Sequence, residues 1–417
     1  MGLLSRFLGP PSRETFVRRF TRAVRDVGVT AEVRYDPEEF KLTFGGEGNN
    51  VLNLTNAYAD YARASRRARG DVLRKYAGLA RLQNDEAARR EQTFDDVKGM
   101  LLPRVQSRFY HAMVRKTLAG MPSAAKADGD RKADSFETRP FTTTLSLDLV
   151  CDLPNAIQTV PSKSLADWGV TFDAALAVAK DNLWRRSNER WEEIGEGVYL
   201  SPWRDSHDAS RLFLHDLIWQ LPVKGEHVAV APNRIMLLVT GSEDEAGLAL
   251  LAVAAEQAMG VDRPISGVTL KLEGTRWMPW LPKPDHVAYW ALRKLWLQSA
   301  AMEYAEQKAE LERELAKGGQ DVFVATYALT GDKGGARLFS WAVWPSSVND
   351  MLLPETDWVG IETPGGAAKW ARFARVREVA AELMEATDHV PVRYRIRRFP
   401  SEEQLGRMEL VSVPEPF

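Results

Sequence analysis

With 417 residues, 45% of them hydrophobic and thirteen of them tryptophan, the chain holds enough apolar material for more than one core, which excludes an intrinsically disordered protein. Its formal net charge is only −2, but residues 1–118 carry 22 Lys/Arg against 14 Asp/Glu, leaving 33 against 43 for the remainder. A basic first part attracts an anionic partner or the acidic rest of the chain, and the near-neutral total excludes a uniformly basic nucleic-acid coat.

The opening MGLLSRFLGPP has an apolar run too short for a signal peptide, and Arg6 stands where a myristoylation signal needs Ser or Thr. Ser12 is placed to cap a helix whose Phe16, Phe20, Val24 and Val27 share one face. Strands are expected at Ala31–Tyr35, Phe40–Phe44 and, after the turn GGEGNN, Val51–Leu54. Asn56 reads as the cap of a long helical region reaching about Gly120, broken near Asn84 and Pro103. Residues 121–136, small, polar and aperiodic, read as a linker.

Leu145, Leu147 and Leu149 alternate with polar residues, the pattern of a half-buried strand. Leu153-Pro154-Asn155 turns the chain into a second strand near Ile157–Val160. Thr171 then caps a helix with Leu176, Ala179, Leu183 and Trp184 on its apolar face. Gly197–Pro202 reads as a strand and Asp208–Leu221 as a helix. His227–Ala231, a Pro232-Asn233 turn, Ile235–Val239 and a helix Glu245–Met259 follow. The segment TRWMPWLPKP reads as a rigid, proline-braced piece, and Asp285 as the cap of a helix over 286–317 ended by Gly318-Gly319. The charged half of that helix reads as a solvated face. Val322–Leu329 and Arg337–Trp344 flank a hairpin turn. Asp357–Ile361, a helix from about 367 to 387 and Val392–Arg397 complete the chain. Strand, turn, strand and helix recur near 145, 227 and 338, the order of a repeated β-β-α unit.

The stretch LSLDLVCDLPNAIQTVPSKSLADWGVTFDAALAVAKDNL, with DASRLFLHDLIW, HVAVAPNRIMLLVTGSEDEAGLALLAVAAEQA and the earlier FKLTF and LNLTNAYADYA, resembles the YtpQ family of uncharacterised bacterial proteins over about residues 10–270. That family has no known function, so the resemblance implies no chemistry and carries over no site residues. The last third lies outside it.

Candidate chemistry is sparse. His207, His215 and Asp216, with His227 and further aspartates nearby, are ligand types for a divalent metal, and would make a metal-dependent hydrolase. The lone Cys151 excludes an intrachain disulfide and, inside LVCDL, reads as inert core. Ser210 lacks the G-x-S-x-G context of an exposed nucleophile. Arg63, Arg66, Arg67, Arg69, Arg74 and Lys75, interleaved with Tyr58, Tyr61 and Tyr76, suggest phosphate contacts and base stacking. Trp277, Trp280, Trp341, Trp344 and Trp358 combine core-forming bulk with the character of interface anchors.

These observations predict an α+β protein of repeated β-β-α units, with mainly antiparallel sheets covered by helices. Three segments are expected: 1–120, a β-hairpin with a basic helical region; 137–284, a central α+β domain; and 285–417, a long helix with a Trp-rich α+β domain. The function expected is a cytoplasmic, non-enzymatic protein-binding or adaptor module without a cofactor or membrane span. A metal-dependent hydrolase around His207, His215 and Asp216 is the alternative, and nucleic-acid binding through residues 63–75 the second.

Overall fold

Ser12 behaves as its place before an apolar stripe predicts. Its hydroxyl accepts the Thr15 N–H at 3.2 Å, and the helix Arg13–Asp26 buries Phe16, Val17, Phe20 and Val24. The computed structural model describes residues 11–38, 40–44, 50–84, 93–120, 135–153, 156–260, 264–332, 337–362 and 366–414. The expected GGEGNN turn, Pro154-Asn155 turn, interdomain linker and TGDKGGA turn lie wholly or largely outside these residues. The fold is α+β, with mostly antiparallel sheets packed by helices. The chain forms two compact units, passing between them within the strand Leu101–Ser107, the helix Arg108–Gly120 and the strand Leu145–Leu153.

The first unit comprises residues 1–103, 113–138 and 148–186. An antiparallel meander of Val33–Asp36, Lys41–Phe44 and Asn50–Asn53 meets the helices Arg13–Asp26, Thr55–Arg63 and Arg69–Asn84. Phe16 is the hinge of that core, with Phe20 stacked 5.5 Å away and the Tyr61 ring at 5.2 Å. Within the expected helical region the described α-helices are Thr55–Arg63, Arg69–Asn84, Phe94–Val97 and Arg108–Gly120, the first starting at Thr55 rather than after an Asn56 cap. Around Pro103 a strand replaces it, because Leu101, Leu102 and Val105 are drawn into cores. In the same unit Thr171 caps Phe172–Arg185 as expected, its hydroxyl accepting the Ala174 N–H. The buried face is Phe172, Ala175, Ala179, Asn182 and Leu183; Trp184 points to solvent. Asn182 occupies the buried seam because its amide donates to the carbonyls of Lys98 and Leu101, at 2.6 and 3.0 Å.

The second unit comprises residues 104–112, 139–147 and 187–417. Its first sheet is antiparallel, in the order Arg276–Pro279, Leu270–Glu273, His227–Asn233, Met236–Gly241, Val198–Leu200, Glu192–Gly195. The central strands carry apolar residues on both faces, since both are covered. Val228, Val230 and Leu238 face a core with Leu248, Leu251, Ala255, Leu292 and Leu295 from two helices. Ala229, Ala231, Leu237 and Val239 face a second core with Leu145, Leu147, Leu212, Ile218 and Trp277. Pro232 and Asn233 belong to the strand rather than the turn, and TRWMPWLPKP begins as the outer strand of a hairpin. Asp208–Leu221 is not one helix. A 3₁₀ turn at Ala209–Phe213 and a short helix His215–Trp219 replace it, because Leu212, Leu214, Leu217 and Ile218 must all be buried beneath the sheet.

The helix Tyr289–Lys317 then leads to two four-stranded sheets sharing the core of Trp344, Met351, Leu353, Val359, Ile361, Phe373 and Ile396. Leu338–Pro345 pairs with Trp358–Glu362 in parallel, and the expected 367–387 helix is a strand, Lys369–Arg372, and a short helix, Phe373–Val379. The third copy of the expected repeat is therefore absent: parallel pairing and a following strand replace its hairpin and helix. No helix among the described residues is long and apolar enough to cross a membrane.

Candidate functional site

The long helix Tyr289–Lys317 begins as an apolar rod and becomes amphipathic in its middle. Trp296, Ser299, Ala300, Glu303 and Tyr304 fall on one face by the 3.6-residue period, and all five line a cavity of about 260 Å³ in the second unit. The opposite wall comes from Ser266 and Val268, brought close by Gly267. A Cβ there would lie 2.5 Å from the Leu295 carbonyl oxygen, and the Gly267 N–H donates to Ser299 Oγ at 3.2 Å. Only glycine allows this approach. Thr144, Glu355, Pro391 and Val392 complete the lining.

Hydrogen bonds fix these walls. The Trp296 indole N–H donates to Thr269 Oγ1 at 3.1 Å. The Tyr304 hydroxyl donates to the Val392 carbonyl at 2.7 Å and accepts the Glu355 N–H at 3.2 Å. Gln307, one turn on, donates to the Pro391 carbonyl at 2.6 Å and accepts from Arg393 Nε at 2.5 Å. Arg393 is fully buried. Its other donors reach the carbonyls of Ala325, Leu352 and Tyr304, at 2.8, 3.2 and 3.3 Å. Burial pulls its pKa down to about 10, so it stays charged at neutral pH, with carbonyl dipoles as its solvent.

Two carboxyls serve the cavity. Glu355 stands exposed, its Oε2 accepting from the Tyr394 hydroxyl at 3.2 Å. Glu303 is half-buried and open to the cavity. Burial pushes its pKa up to about 7, against a hydrogen bond from Ser107 that favours the ionised form, while Glu306 adds to the rise. Among the described residues the lining includes no Lys, Arg or His. Among the described residues Glu303 makes no ion pair. A carboxyl poised near neutrality exchanges a proton or receives a cation. The hydroxyl oxygens of Ser299 and Ser266, which line the same cavity, accept the backbone N–H groups of Gly267 and Val268. The arrangement suits binding.

The expected metal ligands are not gathered. His207 is buried in a loop, its backbone N–H donating to Asp205 Oδ1; His215 packs on Trp219; Asp216 is exposed; and His227 Nε2 meets the Leu221 carbonyl at 3.0 Å. No group of three or more His, Cys, Asp or Glu among the described residues could hold a metal ion. That loop is built instead around Arg211, wholly buried, bidentate to Asp205 at 2.9 Å, bonded to Ser187 and lying 4.0 Å over the Trp203 ring. Burial pushes the Asp205 pKa up, but the Arg211 bonds and charge prevail and leave it lowered. Ser210 has a structural task, accepting the Val105 N–H at 3.1 Å.

Three of the expected tryptophan anchors are interior: Trp277, Trp344 and Trp358 are buried, Trp277 donating to the Leu212 carbonyl and Trp358 lying under Arg372. Trp280 and Trp341 are half-buried, Trp341 bonded to Thr330. Bulk and apolarity drew the three inward. In the basic stretch Tyr61 and Tyr76 are core residues, unavailable for stacking on bases. Arg63 and Arg74 pair with Asp60 and Asp71, Arg69 and Lys75 lie over Tyr61 and Tyr76, and Arg66 and Arg67 are exposed. Cys151 is half-buried, and burial pushes its thiol up to about 11, far from a reactive thiolate. Glu303 was missed because its helix half reads as uniformly charged. The signal was Ser299, Glu303 and Gln307 at four-residue steps, continuing the stripe of Leu292 and Leu295.

Comparison with family models, curated proteins and solved structures finds no match for this chain.

Proposed function

We propose that this chain is a cytoplasmic, non-enzymatic protein-binding module whose second unit anchors a partner through the cavity beside Glu303. The resemblance of residues 10–270 to the YtpQ family belongs to the same proposal and adds no chemistry to it. The observation that carries the reading is the cavity itself. At about 260 Å³ it falls below the ~300–1,000 Å³ of pockets that enclose a drug-sized ligand, and it suits one inserted side chain. Its walls are held by bonds from Trp296 to the Thr269 hydroxyl and from Tyr304 and Gln307 to backbone carbonyls, the preorganisation that lets a small anchor contribute affinity. Selection from a displayed random-peptide library tests this. Peptides should be enriched whose binding is lost on Ala300→Trp, which fills the cavity, while the variant melts as the parent does. A library that yields no peptide sensitive to Ala300→Trp overturns the reading.

A further inference from the structure

We infer that the side chain this cavity receives is an aliphatic cation, lysine or arginine, held by Glu303 and Glu355; this rests on the binding reading above and names its recognition chemistry. Charge complementarity is the first support. Among the described residues two carboxyls and no basic side chain line the cavity; of the flanking cations, Arg393 has its donors engaged by Gln307 and three carbonyls, and Arg108, whose backbone N–H donates to the Thr144 carbonyl, gives its Nη1 to the Thr143 carbonyl. The second is the placement of Glu303. A carboxyl half-buried in the cavity wall without an ion-pair partner raises the free energy of the folded chain when ionised, and an incoming cation supplies the missing partner.

The third support is the apolar surface. Val268, Ala300, Val392 and the Trp296 ring offer contact for a methylene stem, and Glu303 and Glu355 offer acceptors for the charged end. Tyr304 takes no part in recognising the charge through its ring, since Tyr327 stacks on it at 4.8 Å and Arg393 stands 5.2 Å from its centroid. Its contribution is to position Glu355 through the backbone N–H. An anionic side chain would meet two carboxyls, and a neutral one of the same length would leave Glu303 as it is.

The test titrates the full chain with the Nα-acetyl methylamides of lysine, arginine, norleucine and Nε-acetyl-lysine, followed by saturation-transfer NMR at pH 8. At least one of the two cations should bind about tenfold more tightly than norleucine, and Nε-acetyl-lysine should bind as weakly as norleucine. The tighter cation identifies the side chain. Glu303→Gln and Glu355→Gln should each reduce that preference, with the fold checked by melting. Norleucine binding as well as both cations overturns the inference. So does a set of library peptides that depend on Ala300 yet share no lysine or arginine, and that result leaves the anchoring role standing. Failure to obtain any Ala300-dependent peptide would instead remove the anchoring role.

Discussion

The substitution Glu303→Gln should make the protein more stable, and increasingly so as the pH rises. Burial lifts the Glu303 pKa from 4.5 to about 7, so at pH well below 4.5 the carboxyl is protonated folded or unfolded and contributes nothing. Between 4.5 and 7 the unfolded chain releases its proton first, and folding then costs progressively more; above 7 the whole cost is present. At 1.36 kcal/mol per unit the ceiling is about 3 kcal/mol, and partial exposure to the cavity reduces this. Glutamine keeps the shape and removes the titration. Neighbouring groups, namely Glu306 and Glu310 on the same helix, Glu355 across the cavity, Ser107 and the more distant Arg393, are common to both proteins and cancel to first order. Urea unfolding of both proteins at pH 5 and pH 8 should show the advantage of the variant growing by about 2 kcal/mol. A difference that stays constant across that range would refute the reasoning, because Glu303 would then titrate alike in both states.

Three further outcomes follow from the packing. Arg393→Met should cost about 2–4 kcal/mol in urea unfolding, because Gln307 Oε1 and the Ala325 and Leu352 carbonyls lose a buried donor; a neutral result would show that water reaches them. Asp205→Ala should cost about 3–5 kcal/mol by leaving the buried Arg211 without its carboxylate. Since the folded Asp205 pKa is lowered, the pair's contribution should persist at pH 5 and fade only as the pH falls through that depressed value, readable as an acid unfolding midpoint. Asp244→Ala should cost about 1 kcal/mol, through loss of the side-chain bond to the Gly247 N–H that starts the helix Glu245–Met259. Melting curves would check it.

Legibility followed the range of the interactions involved. The caps at Ser12 and Thr171 and the hairpin that ends in Leu338–Pro345 rest on neighbours in sequence and were readable from it, although its first strand is Ala328–Gly331 and the Phe323–Val324 part of the expected strand pairs in another sheet. The strand through Pro103 was not, since Leu101 and Val105 are extended by cores assembled from distant segments. Likewise the apolar positions of 208–221 fit a helix, yet burying Leu212, Leu214, Leu217 and Ile218 together required two short turns. The tryptophans were legible as bulk but not as position. The cavity was hardly legible at all, because its walls come from five stretches between Thr144 and Val392.

By itself the sequence determined an α+β chain, several helix starts and the place of many strands, because propensity, capping and periodicity act over a few residues; the burial of Ser146 and Asp148 beside Leu145, Leu147 and Leu149 was not in the alternation. Tertiary structure alone decided which charges are buried. Arg211 and Arg393 look like any surface arginine in the sequence, and Glu303 like any other glutamate of a charged helix. What separates them is the dielectric around each and the partners that long-range packing brings within reach, and neither quantity belongs to a residue before the chain has folded.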